Sequence, residues 1–467
     1  MNVHMRVGAP TITPHLAIGI EALSLRLKGR LVAADHADYD DLRGLPHSNW
    51  DHRPLFVARV ANAPDVADVV DFARRNQLDI AVRSGGHSVC GYSASEGGVV
   101  IDLRDLRSID IDLDDMTVWA GAGLTAGEVT EALDQHGVVV GFGDSSSVGI
   151  GGLTLGGGVG YMTRKFGLTI DSLVAVEIVT ASGSILTANE TNHPDLFWAL
   201  RGGGGNFGVV TRFCYRLNPL PEFTGGPLVL PATAEAMAGF VAAAKAARDE
   251  LSTILLAMPA PPMPFLPPEI YGKTVLIGMM AYAGPAGDAQ QALAPFRALA
   301  QPIADLVRPG PYGMMYLPED PSMRPTLSIR TRFADDLDVD QARNILARLD
   351  QCDAPMHMAQ IRVLGGAAAR VPSHETAYAH RDAEILVGFL AMDGSLEAAA
   401  RHDQWASDAV SMLGGARRGS YVNFLADEGE AMIQASYPGA TWQRLRQVKQ
   451  SYDPSNVFHL NQNIPPA

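Results

Sequence analysis

Two glycine-rich stretches stand out for the chemistry their residue types allow. Arg83-Ser84-Gly85-Gly86-His87-Ser88 comes first, and Gly151-Gly152-Leu153-Thr154-Leu155-Gly156-Gly157-Gly158-Val159-Gly160 follows. Glycine lacks the Cβ that holds a bulky ligand off the main-chain N–H groups, and it reaches dihedrals closed to other residues, so clustered glycines can form a nest for phosphate. A third run, Arg201-Gly202-Gly203-Gly204-Gly205-Asn206-Phe207-Gly208, extends the pattern. Any single run can be a set of turns; three together favour an extended bed for a phosphate-bearing cofactor. His87 is the one side chain of the first loop able to act as ligand, base or attachment point. The second cluster lacks the compact G-x-G-x-x-G spacing of a dinucleotide fold, and no Walker lysine-serine pair follows it.

These loops need elements to hold them. Strand-like residues 55–60 and an amphipathic helix over 64–75, capped by Asn62 or opened by Pro64, lead to a strand at 79–82 that runs into the first loop. Strands follow at 99–103, near Ile109 and Ile111, and at 117–119, then a helix over 126–136. A β-rich run at 173–179, a helix at 195–200 and a strand at 209–215 complete an α+β lobe, with helical spacing also at 18–27. Pro219, Pro221 and Gly225-Gly226 read as a boundary. Beyond it, helices are expected at 233–247, 289–306, 341–349 and 396–412. Strands at 274–280, 357–364 and 385–392 between them predict a second α+β unit built on an antiparallel sheet. The proline-rich 261–268 reads as a loop.

At 467 residues the chain exceeds what one core usually supports. Its 36 basic and 51 acidic side chains give a net charge of −15, which argues against nucleic acid or an anionic membrane surface as partner. Cys90, Cys214 and Cys352 are too few and too scattered for a disulfide framework or a cysteine-rich metal centre. No apolar run approaches membrane-spanning length, and residues 1–14 lack the basic and apolar regions of a secretory signal, so a cytoplasmic location is expected.

The glycine stretches, Tyr161-Met162-Thr163-Arg164-Lys165-Phe166-Gly167-Leu168, the Asp195–Gly208 run, Tyr421-Val422-Asn423-Phe424, Tyr452-Asp453-Pro454-Ser455-Asn456-Val457-Phe458 and Asn461-Gln462-Asn463-Ile464-Pro465-Pro466 resemble, in order, the berberine bridge enzyme group of flavin oxidoreductases, within the vanillyl-alcohol oxidase (PCMH-type FAD-binding) superfamily. The resemblance implies an α+β FAD-binding domain in two pieces, 1–215 and 417–467, split by a substrate domain, 216–416. It implies FAD bonded to His87 through the flavin 8α carbon. Relatives with a second bond use a cysteine in a Cys-Pro-Thr-Val-Gly-like setting; here the run is Ser145-Ser146-Ser147-Val148-Gly149, so a single histidyl link is expected. Cys90 does not match that second position.

In the same frame, Gly85 and Gly86 with Ser84 and Ser88 approach the diphosphate, and Arg83 supplies positive charge or an interlobe ion pair. Gly151, Gly152, Gly156, Gly157, Gly158 and Gly160 accommodate the rest of the cofactor, and Gly204 and Gly205 rank below them. Tyr421, placed by the resemblance on a C-terminal strand, takes a substrate proton while hydride passes to the flavin, provided the pocket favours its anion. Phe424 replaces a second tyrosine of some relatives. Asn423 is a substrate or flavin hydrogen-bond candidate or a satisfied amide; Asn461 and Gln462 stand likewise at the flavin edge. Tyr378 and His380, with Arg381 beside them, are substrate-binding candidates whose spacing permits one strand face. No metal ligand set accompanies His380. The activity implied is an oxidase of a small organic alcohol, lactol or amine, with O2 as acceptor and H2O2 as product. A dehydrogenase using another acceptor and a binding protein that retains only the scaffold are the alternatives.

Overall fold

The computed structural model describes residues 13–320, 322–415, 417 and 419–467, so most of the N-terminal stretch read for a leader lies outside it. Asn62 caps the helix Ala63–Arg75 by accepting the Asp65 N–H at 2.9 Å, with Pro64 in its first turn. The helix buries Val66, Val69, Val70, Phe72 and Ala73. Its partner is a four-stranded sheet in the order Arg30–Ala33, Phe56–Arg59, Val99–Asp102, Ile80–Arg83, the last three strands parallel. Val99, Val100 and Ile101 are wholly buried, the unbroken apolar run of a parallel strand covered on both faces. A second, antiparallel sheet has the order Ile109–Asp112, Thr117–Gly121, Val209–Arg216, Leu173–Val179, Ile185–Asn189.

The loop after Ile80–Arg83 crosses the loop before helix Ile150–Leu155 with main chain against main chain. A Cβ on Gly85 would strike the Gly149 nitrogen, and one on Gly149 would strike the Gly85 nitrogen. Only a glycine pair permits that crossing.

The third sheet is wholly antiparallel. Its order is Ala304–Asp305, Thr224–Pro231, Thr274–Tyr282, Leu251–Pro259, Met356–Val363, Ile385–Asp393, Thr326–Ala334. Helices Ala234–Ala246, Val339–Leu349 and Leu396–Ser411 contribute to one apolar core with the odd-numbered side chains Ala359, Ile361, Val363, Ile385, Val387 and Phe389. Strand geometry sends the even-numbered side chains to the opposite face. Gly225 and Gly226 lie inside Thr224–Pro231 rather than at a boundary, where Gly226, at φ +136°, keeps the strand close to the Leu306 carbonyl. The helix expected over 289–306 is Ala286–Arg297; it cannot reach 306, because Pro302 bars helix at 301–302 and 304–305 pairs as strand.

The chain then returns to the first unit. Val422, Tyr437, Leu445, Val448, Phe458 and Ile464 share a core with residues of the two N-terminal sheets. Within helix Ala440–Tyr452, the buried Lys449 ammonium donates to Asn206 O at 2.7 Å, Asp453 Oδ2 at 2.7 Å and Phe458 O at 2.9 Å, using all three of its donors. No helix among the described residues is long and apolar enough to cross a membrane, and no group of three or more potential metal ligands is present among them.

Candidate active site

A cavity of about 700 Å³ lies where the glycine loops, the open face of the large sheet and the C-terminal return meet. Of the residues expected from the sequence, Ser84, Gly85, Gly86, His87, Ser88, Ser145, Gly151, Gly152, Tyr421, Asn423 and Asn461 line it, as do the lower-ranked Gly204 and Gly205. Ser84 Oγ ties the first two loops together, donating to Ala122 O at 2.6 Å and accepting the Gly151 N–H at 3.2 Å.

His87 sits at the mouth of a short polar chain. Its Nε2 pairs with Ser147 Oγ at 3.0 Å; Ser147 donates to Glu319, and Ser145 Oγ donates to the same carboxylate at 2.7 Å. Burial lowers the imidazole pKa of His87 against the pull of Glu319, which keeps the ring neutral at pH 7. Burial works to raise the Glu319 carboxyl, but the two serine hydrogen bonds and His87 overcome it and hold it below its ordinary value. His47 meets His87 edge-on, ring centres 6.2 Å apart, and burial brings it down to about 4.

At the other end, Tyr421 is 3% exposed and its phenolic oxygen accepts three N–H groups: Gly158 N at 2.8 Å, Val159 N at 3.3 Å and Asn423 Nδ2 at 2.7 Å. Asn423 is fixed for this by its second N–H, which donates to Leu153 O at 3.0 Å. A neutral hydroxyl has two lone pairs to offer and a phenolate three, so the donor set matches the anion. Burial pushes the Tyr421 pKa up, while the three donors and Arg362 pull it down; the net position is above the ordinary value. Phe424 packs edge-on against Tyr421 at 5.1 Å, and the Arg362 guanidinium lies 4.7 Å from the Phe424 ring centre. Arg362 is itself held by Asp144 at 2.6 Å and by Gln360.

Several expectations are corrected. Arg83 does not line the cavity: its guanidinium donates to the carbonyls of Ser93 at 3.1 Å, Arg43 at 3.1 Å, Gly44 at 3.4 Å, and Leu42. Burial brings it down to about 10. It clamps the 42–44 and 93 segments and is neither a phosphate partner nor one arm of an interlobe ion pair. Gly156, Gly157, Gly158 and Gly160 also lie outside the lining; a Cβ there would collide with Asn423, Tyr378, Thr169 and the Phe142 carbonyl, so their bareness serves close packing of the protein against itself. Tyr421 precedes a 3-10 turn, Val422–Phe424, and is not on a strand.

Tyr378 and His380 do not share a strand face, because residues 371–384 form no strand. Tyr378 packs beside Tyr421, ring centres 6.1 Å apart, outside the cavity lining. His380 stacks on Phe333 at 4.5 Å and pairs with Ser436 O at 3.1 Å, a structural role. Arg381 pairs with Asp171 at 2.8 Å. The sequence reading missed His47, Asp144, Glu319, Gln360 and Arg362, all of which line the cavity. For Gln360 and Arg362 a signal existed, since Met356, Met358, Gln360 and Arg362 follow a period of two within one strand.

The Arg83 clamp gives an expected outcome. Arg83→Met strands one buried carbonyl and three half-buried ones, for a loss of about 1–3 kcal/mol in unfolding free energy, measurable by urea titration. Unchanged stability together with lost cofactor affinity would return Arg83 to the anion site.

The cavity suits a large, phosphate-bearing ligand. A Cβ added to Gly152 or Gly205 would meet no atom within 4 Å although both line it, so bare main chain faces open space there. His47 Nδ1 and Asn461 Oδ1, from two lining residues, are buried without partners among the described residues. Residues 54–189 match the family model described as FAD binding domain, and residues 420–465 match berberine and berberine like. The chain is 30% identical over 457 residues to the uncharacterized FAD-linked oxidoreductase YgaK of Bacillus subtilis, covering 94% of this chain and 98% of that one. It is 28% identical over 468 residues to (R)-6-hydroxynicotine oxidase of Paenarthrobacter nicotinovorans, covering 95% and 98%. The crystal structure of 6-hydroxy-D-nicotine oxidase from Arthrobacter nicotinovorans superposes with a TM-score of 0.84 at 26% identity, covering 95% of this chain and 99% of that one. With an N-terminal and a C-terminal segment matched by the two family models, and a relative 30% identical along nearly its whole length, the chain belongs to the berberine bridge enzyme-like FAD-linked oxidoreductases of the PCMH-type FAD-binding superfamily and is an FAD-dependent oxidoreductase.

Proposed function

We propose that this enzyme is an oxidase of a small organic alcohol, lactol or amine, with dioxygen as electron acceptor, hydrogen peroxide as product and FAD attached once, through His87. The observation that carries the substrate half-reaction is the Tyr421 oxygen with its three N–H donors at the cavity wall. A tyrosine with an ordinary pKa is a weak base at neutral pH. Here Gly158, Val159 and Asn423 offer the phenolate its hydrogen bonds in advance, and Arg362 adds positive charge. Burial still sets the pKa above its ordinary value, so the phenolate is the minor form at neutral pH and a strong base where it exists. In that form Tyr421 accepts the O–H or N–H proton of the substrate as the Val159 N–H, the longest of the three at 3.3 Å, gives way, and Asn423 keeps the phenol ring oriented. FAD, when bound, supplies a two-electron acceptor for the substrate hydride.

Ser84 to Ser88, Gly151, Gly152, Gly204, Gly205 and Asn461 are the residues that would hold it. The proposed division is residues 1–215 and 417–467 around the cofactor and 216–416 over the substrate. His87 is the attachment residue: burial keeps its imidazole neutral, and Ser147 engages Nε2, which leaves Nδ1 for the bond. Ser145, with a hydroxyl in place of a thiolate, makes no second bond.

The name of the hydroxynicotine oxidase relative supports the choice of dioxygen. Photoreduction of the purified holoenzyme, followed by mixing with air-saturated buffer, tests it without a substrate. Rapid return of the oxidised flavin spectrum with one equivalent of peroxide is expected. Slow return in air, alongside fast return with an artificial acceptor, would establish a dehydrogenase instead.

A further inference from the structure

The open face of the large sheet has a composition from which the substrate's chemistry can be read. Three adjacent strands cross the cavity in fixed register. Met392 stands opposite Met356 on one side and Leu327 on the other; two residues along, Leu390 stands opposite Met358 and Ile329. All six side chains line the cavity. The next rank is Gln360, Gly388 and Thr331, and the one after is Arg362, Leu386 and Phe333. The first two ranks carry no nitrogen or oxygen in any side chain. In the third, the Thr331 hydroxyl is taken by Ser420, Gly388 has no side chain, and Gln360, the polar side chain of that rank lining the cavity, already accepts from Arg362 and donates to Asp144 at 3.4 Å. Three strands at their usual spacing make a platform about 10 Å wide, and two ranks make it about 7 Å long, the footprint of a small ring system.

We propose, resting on the oxidase reading above, that the substrate is a compact hydrophobic alcohol or amine bearing an aromatic ring. Its ring lies on this six-residue platform, and its one polar reacting group points along the strands toward Gln360, Asn423 and Tyr421. Three of the six platform residues are methionine, whose polarisable sulfur adapts to and favours contact with aromatic rings. A sugar fits poorly. Each hydroxyl buried on the platform would exchange water for a methyl or thioether and gain no partner.

Isothermal titration calorimetry of the flavin-loaded enzyme under anaerobic conditions tests this, with 1-phenylethanol and 1-phenylethylamine as aromatic probes and xylobiose as the sugar probe. At least one aromatic probe is expected to bind about tenfold or more tightly than xylobiose, with a negative heat-capacity change marking apolar burial. Met358→Gln and Leu390→Gln should each weaken that probe by about tenfold, while Met358→Leu, which keeps the platform apolar and loses only the sulfur contact, should weaken it less than Met358→Gln. Xylobiose binding as tightly as the aromatic probes overturns the proposal. So does binding of neither aromatic probe at its solubility limit, or indifference to both glutamine substitutions in protein that retains its flavin and its melting temperature. Flavin content and peroxide yield on air mixing, measured on the same wild-type samples, report separately on the oxidase reading. Flavin present and reoxidised by air with a sugar-preferring site would refute only the platform; flavin absent or inert to air would refute the reading beneath it.

Discussion

Replacing Tyr421 with phenylalanine is expected to slow substrate-driven flavin reduction by about 10²- to 10⁴-fold, measured by anaerobic stopped flow once a substrate is in hand. The substitution removes one oxygen and keeps the ring packed against Phe424 and Tyr378. It strips the site of the atom on which Gly158, Val159 and Asn423 converge. Reoxidation by dioxygen should change far less, because the tyrosine acts before electrons leave the flavin. The pH dependence gives a second signature. Burial sets the Tyr421 pKa above its ordinary value, so the phenolate fraction, and with it the reduction rate, should climb with rising pH through the alkaline range. That climb should disappear in the phenylalanine variant. A reduction rate unchanged by the substitution, in protein with full flavin content, would remove Tyr421 from the mechanism.

Loss of the imidazole at position 87 should be equally plain. Denatured, digested wild-type protein is expected to carry flavin on one peptide, the one containing His87; His87→Ala should carry it on none. The alanine variant should still take up FAD without a bond, since Gly152, Gly204 and Gly205 and the Ser84 tie between loops are untouched. Flavin released freely from the wild type would defeat the attachment, and a second flavinylated peptide at any cysteine would defeat its being single. Cys90 is a poor candidate for such a second bond: burial raises its thiol to about 11, so almost no thiolate exists at neutral pH.

What could be read in advance divides along a physical line. Local rules placed the helix behind Asn62 and Pro64 to within a residue, because its cap and its apolar stripe are written in adjacent positions. The glycine loops were legible for a similar reason, since main chain that must meet main chain leaves no choice of residue. Tyr421 was found through its neighbours in the motif, yet its element was not: four residues cannot separate a short strand from a 3-10 turn. Roles set by distant partners stayed hidden. An arginine entering a glycine loop reads as a phosphate partner until the carbonyls of residues 42–44 are seen to surround it. The long helix expected over 289–306 failed because alanine-rich helical periodicity outweighed the break at Pro302. The methionine wall was visible only as a strand, and its meaning waited on register with two strands remote in sequence.

The return of the chain to its starting lobe has a consequence for the order of events in the cell. The cavity is walled by Pro46 and His47 near one end of the sequence and by Asn461 and Gln462 near the other. Lys449 cannot find its three acceptors until Phe458 has been joined to the chain. During synthesis the prosthetic-group chamber thus stays open on one side until residues 458–462 have emerged, however early the N-terminal sheets form. Capture of the dinucleotide in its finished setting therefore waits for that segment, and covalent fixation at His87 would then seal a chamber that residues 458–462 had just closed.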